Sequence, residues 1–291
     1  MPESDDLMSR KTNGGLSGRA KRLAKQAGIP HTAALTSLRT PRAADRTPRR
    51  RAAATGLPGL DQLLGPLKPG TLTLLAGRTM AGSTALLLTI ARHNARSGLS
   101  VMLAELQSTQ TETGRMLLAA EASQDLGPTA AHPADPARLA AVATRLRRLP
   151  LRLTVPGADA LGRLSAEAIR SRAGLLLLDD LGLASDFQQP APPGAVAGAL
   201  ARLARDLAVP VIATAHLGPP RGLTPDPADL RDPHALQHAD RVVLLDRPAR
   251  LDPPVGQPDL VDLHVTGADG ASLGRTSVRF EPESHRMTAA S

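Results

Sequence analysis

The stretch Gly77-Arg78-Thr79-Met80-Ala81-Gly82-Ser83-Thr84 has its two glycines and final threonine in the register of the phosphate-binding pattern G-x-x-x-x-G-K-[S/T]. In that pattern backbone N–H groups and the start of the following helix cradle phosphate oxygens. The lysine neutralises them, and the Ser/Thr hydroxyl binds Mg²⁺. Gly77, Gly82 and Thr84 preserve the cradle and the metal hydroxyl. Ser83 occupies the lysine position, and a hydroxyl brings no charge. The chemistry on offer is weak or altered nucleotide binding. The competing reading is a strand–helix turn that binds nothing. A second chemical feature is Leu175-Leu176-Leu177-Leu178-Asp179-Asp180, an apolar run ending in acids. A buried parallel strand reads this way when it delivers a carboxylate to the edge of a sheet.

The elements that must position these groups follow from periodicity and punctuation. Thr71–Ala76 reads as a strand entering the loop, and Thr84 to about Ser97 as the helix leaving it. Ser100–Glu105, Leu151–Val155, Val209–His216 and Arg241–Leu245 read as further strands. They alternate with helices over 109–122, 136–149, 161–173 and 195–207. Leu260–Val265 and Thr276–Phe280 read as a hairpin pair around Gly267–Gly274. Such alternation predicts an α/β fold, with a mostly parallel sheet covered by helices on both faces and an antiparallel edge at the C-terminus. Residues 1–15 read as lacking regular structure. Ser17–Leu38 reads as two short basic helices broken at Gly28-Ile29-Pro30, with a weak likeness to a helix-turn-helix. The division expected is a basic tail over 1–51 and a folded domain over 52–291.

Composition narrows the class. The 291 residues are 42% apolar but contain no Trp, no Tyr and only two Phe, which argues against an aromatic platform for single-stranded bases. There is no Cys, so disulfides and thiolate metal sites are excluded. No apolar run approaches the length of a membrane helix, the acidic start lacks the order of a signal peptide, and a cytoplasmic location is expected. Residues 1–51 hold 12 Lys/Arg and 4 Asp/Glu, so the whole net charge of +8 resides there. A basic arm ending in Arg49-Arg50-Arg51 points to a polyanion partner, most plausibly DNA.

From Thr55 to about Met287 the order of elements resembles the C-terminal motor domain of DnaB-type replicative helicases, a RecA-like P-loop NTPase fold. The segments that carry the likeness are Thr55-Gly56-Leu57, Leu60-Asp61, Leu67-Lys68-Pro69-Gly70, Ala76-Gly77-Arg78, Leu175–Leu183, Leu207–Ala213, Asp229-Leu230-Arg231 and Ala239-Asp240. RecA-like recombinases and KaiC-type ATPases share the first half. The family's N-terminal helical domain, which engages primase and shapes the ring, is not matched, and the basic segment takes its position. The resemblance implies ATP and Mg²⁺ as cofactors, with Asp179 as the Walker B carboxylate beside Thr84. It sets Arg78 at an arginine common in the family's loop. The glutamate that orients the attacking water falls at Gln107, with Glu105 two residues away as a candidate substitute, and the sensor glutamine falls at His216. The Lys-x-Arg that reaches a neighbouring subunit's nucleotide falls at Gly267 and Asp269, with Arg275 on the far arm. The loops facing DNA correspond to 184–194 and 218–232, and the second offers Arg221 and Arg231.

Loss of the lysine, the glutamate and the trans-acting cation together implies a degenerate ATPase site in a DNA-associated accessory of replication or repair. One alternative is a working ATP-dependent DNA helicase or translocase with unorthodox catalytic residues. The other is a structural partner within a helicase ring, or a homo-oligomer.

Overall fold

The computed structural model describes residues 5–39, 52–127, 135–155, 160–184, 191–219, 221–222, 224–248, 259–267 and 269–290. Nine strands form a single sheet in the order β3-β2-β4-β5-β1-β6-β7-β8-β9. The strands are β1 (Leu72–Gly77), β2 (Val101–Glu105), β3 (Leu151–Thr154), β4 (Leu175–Asp179), β5 (Val211–His216), β6 (Arg241–Asp246), β7 (Leu260–Gly267), β8 (Ser272–Glu281) and β9 (Arg286–Ala289). All pairings from β3 through β6 are parallel, and β6–β7, β7–β8 and β8–β9 are antiparallel. β1, β2 and β4 are buried along their whole length. Their continuous apolar runs reflect helices on both faces.

One face carries α4 (Ser83–Arg96), α3 (Pro58–Leu64) and the C-terminal hairpin, packed through Leu60, Leu86, Leu87, Ile90, Leu263 and Phe280. The other carries α7 (Ala160–Ser171) and α8 (Ala195–Leu207), packed through Leu164, Val196, Leu200 and Leu203. α5 (Gln110–Ala122) and α6 (Pro136–Arg148) complete the crossover between β2 and β3. α5 starts at a capping box, in which the Thr109 hydroxyl accepts from Glu112 N–H and the Glu112 carboxylate accepts from Thr109 N–H.

The expected strands and helices are present to within a residue or two, and β9 is an addition. The N-terminal segment differs more. α1 (Asp5–Ala27) begins well before Ser17, so the helix runs through the Asn13-Gly14-Gly15 stretch, whose weak helix propensity had suggested no structure. With α2 (His31–Arg39) it forms a helical pair seated on α7 and α8. Ala20, Leu23 and Ala34 are completely buried and belong to the same core as α8. Arg19 donates to the carbonyls of Arg205 (3.1 Å) and Asp206, at the end of α8. Arg22 grips the Asp206 carboxylate with Nε (3.3 Å) and Nη2 (2.7 Å). Helix C-terminal carbonyls attract such cations. Part of the basic charge read as a free arm is therefore spent on packing.

Candidate functional site

β2, β4, β5 and β1 are consecutive in the sheet, and their carboxyl ends meet at one edge. In open α/β sheets this edge is where ligands bind. The register sets Glu105 opposite Asp179 and Gly77 opposite His216. A cleft of about 350 Å³ opens there, lined by the loop from Arg78 to Thr84 and by Gln107, Asp179, Thr214, His216, Arg247 and Phe280.

The loop keeps the shape of a phosphate cradle. Gly82 holds φ 96° as the residue before α4, and no side chain caps the first turn of that helix. The helix's initial N–H groups are left for a ligand or water. A Cβ on Gly82 would come within 2.5 Å of Met287 Cε, and one on Gly77 within 2.6 Å of Ser83 Oγ. Glycine is thus required at both ends by close approach. Ser83 sits folded over Gly77, where a short side chain reaches no further than the loop's own backbone.

Asp179 has the form of a metal ligand. Its Oδ1 accepts from the Thr214 hydroxyl, while Oδ2 is buried with no hydrogen-bond partner. Burial raises its pKa, opposed by hydrogen bonds from Thr214 and Thr84 and assisted by the nearby Asp180 charge. An unpaired carboxylate oxygen beside the Thr84 hydroxyl is the donor set a hard cation takes, with phosphate and water completing its shell. Among the described residues no group of three or more His, Asp or Glu could hold a metal unaided. The residues present therefore fit Mg²⁺ only as a companion of phosphate.

The catalytic positions are rearranged. Glu105 does not replace the missing glutamate, because the strand end does not turn it outward. It is 1% exposed and absent from the cleft wall. Its Oε1 accepts from Gln107 N–H (2.8 Å) and Ser108 N–H (3.1 Å), and its Oε2 has no hydrogen-bond partner. Burial, then repulsion from Asp179, pushes its pKa up to about 7. Glu105 thus shapes the backbone that presents Gln107. Asp180, read as an ordinary strand-end carboxylate, is buried and collects three partners. Its Oδ2 accepts from Gln107 Nε2 at 3.1 Å and lies 3.0 Å from His216 Nε2, and its Oδ1 accepts from Gly182 N–H at 2.8 Å. Gln107 and His216 are therefore both brought to the cleft and fixed by one acid.

Both arginines on the cleft wall are already engaged. Arg78 lies 3.5 Å from Asp229, which also receives Arg221 at 3.7 Å. Arg247 binds Asp259 through Nε (3.0 Å) and Nη2 (2.5 Å), donates from Nη1 to the Met80 carbonyl at 2.7 Å, and stacks 4.7 Å from the Phe280 ring centre. Sequence reasoning missed Arg247, since an arginine after a strand carries no local mark of a contact with residue 80. His285 also lines the cleft, and burial lowers its pKa.

Other expected residues lie apart. Gly267 and Asp269 form the turn between β7 and β8, where Asp269 caps Ala271 N–H, and neither lines the cleft. Arg275 is exposed on β8, and Arg231 is exposed in the loop after β5. Arg49, Arg50 and Arg51 lie outside the described residues. Among the described residues no helix is long and apolar enough to cross a membrane.

Comparison with known proteins agrees with this geometry. The replicative DNA helicase DnaB of Treponema pallidum (strain Nichols) is 30% identical over 209 residues, covering 67% of this chain and 48% of that protein. That of Leifsonia xyli subsp. xyli (strain CTCB07) is 30% identical over 227 residues, covering 71% and 50%. The chain thus spans about half the length of the curated relatives it matches. Among solved structures, an isolated ATPase domain superposes with TM-score 0.73 at 20% identity, covering 84% of this chain and 93% of that one. A DnaB-like replicative helicase, solved in a study of its interactions with primase, gives TM-score 0.72 at 18% identity, covering 98% and 78%. The RadB recombinase gives 0.51 at 16%, covering 82% and 100%. These likenesses establish the RecA-like ATPase fold. The model of the DnaB-like helicase C terminal domain matches residues 52–289, and the chain belongs to that family.

Proposed function

We propose that this chain is a DnaB-helicase-like P-loop protein that binds ATP with Mg²⁺ weakly, hydrolyses it poorly, and associates with DNA through basic residues of its N-terminal segment. Its role would be that of an accessory in DNA replication or repair. The observation that carries the reading is the state of the cations at the cleft. Ser83 brings none, Arg78 is tied to Asp229, and Arg247 is tied to Asp259 and the Met80 carbonyl. A polyphosphate entering here meets backbone N–H groups but no uncommitted arginine. When bound, Mg²⁺ would neutralise part of the phosphate charge, held by Thr84 and Asp179. Gln107 has an amide in place of a carboxylate and cannot take a proton from water as glutamate does. The DNA association rests on the excess of basic residues in 1–51.

A second reading is favoured by one observation. Gln107 is anchored to Asp180 and lines the cleft, and glutamine orients the attacking water in some P-loop GTPases. On this reading the chain is an active ATP-dependent helicase or translocase with His216 beside the same acid. ATP turnover by purified protein with single-stranded DNA separates the two. DNA-stimulated turnover that disappears in Asp179→Ala would overturn the weak-site reading. Nucleotide binding without appreciable turnover supports it.

A further inference from the structure

Behind the phosphate loop, on the far side of α4, lies a separate cavity of about 550 Å³. Its walls come from α4, α5, β9 and the segment that leads into α3. Arg92, Arg96 and Arg286 converge there, against Glu121 as the cavity's one carboxylate among the described residues.

The arrangement is costly unless something anionic completes it. Arg92 is only 7% exposed, and its recorded hydrogen bond uses Nε alone, to Glu121 Oε2 at 3.1 Å. Glu121 must also serve Arg96, whose Nη2 lies 2.5 Å from Oε1. Arg286 donates to the Ser123 hydroxyl and approaches Glu281, outside the cavity, only to 4.0 Å. Burial, and then repulsion from Arg96 and Arg286, lowers the Arg92 pKa despite its carboxylate partner. Three guanidinium groups crowd one carboxylate, and the hydroxyls of Thr89, Ser97, Ser123 and Thr288 are at hand around them. Guanidinium groups match phosphate oxygens with paired N–H donors, and are less strongly hydrated than ammonium groups. The volume lies within the range of small-molecule sites.

We infer that this cavity is a binding site for a small phosphorylated molecule, with Arg92, Arg96 and Arg286 as its phosphate ligands. The site is independent of the phosphate loop, because none of its three arginines lines the cleft at Gly77–Thr84. It does share a wall with that cleft. Met287 N–H donates to Thr89 Oγ1 at 3.2 Å inside the cavity's lining, and the Met287 side chain lies over Gly82.

Inorganic pyrophosphate is the probe, titrated calorimetrically into the full chain in low salt. Arg92 is buried against Glu121 and its loss could unfold the protein, so the variants are made at the more exposed Arg96 and Arg286. Arg96→Gln and Arg286→Gln should each weaken one binding event at least tenfold, since a charge-assisted hydrogen bond is lost in each. Arg279→Gln, exposed on β8 and outside the cavity, should leave that event unchanged. No binding by the wild-type chain would overturn the inference. So would binding that survives both variants, because pyrophosphate would then be seated elsewhere, as in the phosphate loop.

Discussion

Replacing Glu105 with glutamine should stabilise the protein in a pH-dependent way. The carboxyl sits 1% exposed at the end of β2, in register with Asp179, with one oxygen unpartnered. Its pKa stands at about 7 in the fold against an ordinary 4.5. Between those values the folded protein holds a proton that the unfolded chain has released. Stability from this group is therefore greatest at low pH, falls as pH rises through the interval, and levels off above about 7. The total loss is about 3 kcal/mol, at 1.36 kcal/mol for each unit of pKa. In Glu105→Gln the amide oxygen can still accept from Gln107 and Ser108 N–H, and the amide nitrogen can donate toward Asp179 Oδ2. Urea unfolding with a chelator present, from pH 5 to pH 8, gives the difference between variant and wild type. Circular dichroism is the probe, since the chain has no Trp and no Tyr. The difference should grow with pH and favour the variant by about 2–3 kcal/mol at pH 8. A flat difference, or a variant less stable at pH 8, would refute the burial and repulsion assigned to Glu105.

Ser83→Lys should raise ATP affinity by about ten- to a hundredfold, the worth of a charge-assisted contact. It should add little turnover, because Gln107 is unchanged, and robust hydrolysis would contradict that. Arg247→Ala leaves Asp259 buried and unpaired, and should cost about 3–5 kcal/mol. Adding Asp259→Ala should restore part of that loss in thermal melts. Leu23→Ala should lower global stability by about 2–5 kcal/mol, since Leu23 is completely buried in the core shared with α8. An unchanged urea midpoint would mean that α1 separates before the core unfolds. Converting Arg49, Arg50 and Arg51 together to Ala should reduce the slope of log affinity for single-stranded DNA against log salt by about two.

The scaffold was legible because its signals are local. The Leu175–Leu178 run ending in Asp179 gave β4, and the glycine spacing gave the loop and the start of α4. β9 escaped because four residues after a Pro-Glu-Ser-His turn show no alternating pattern of their own. The Gln107–Asp180–His216 cluster was not legible, since it joins residues 73 and 109 positions apart. Only the strand order 2-4-5 brings those ends together. The Arg247–Met80 contact spans 167 positions and depends on β6 lying beside β1. The docking of α1 did leave a trace. Ala20, Leu23, Ala24 and Ala27 fall at helical spacing on one side, and all four pack into the core. Net charge had drawn attention to the other side of that helix.

The seat of α1 bears on where the protein can be cut. The family match starts at residue 52, which invites a fragment trimmed to that boundary. Such a fragment would lose Ala20, Leu23 and Ala34 and uncover the apolar faces of α7 and α8 beneath them. It would also strip Asp206 and the end of α8 of the guanidinium groups that neutralise them. Uncovered apolar faces of this kind promote self-association. A trimmed fragment would thus be prone to aggregate, and any oligomer it formed would report on its exposed surface, so solution studies belong with the chain that keeps both helices.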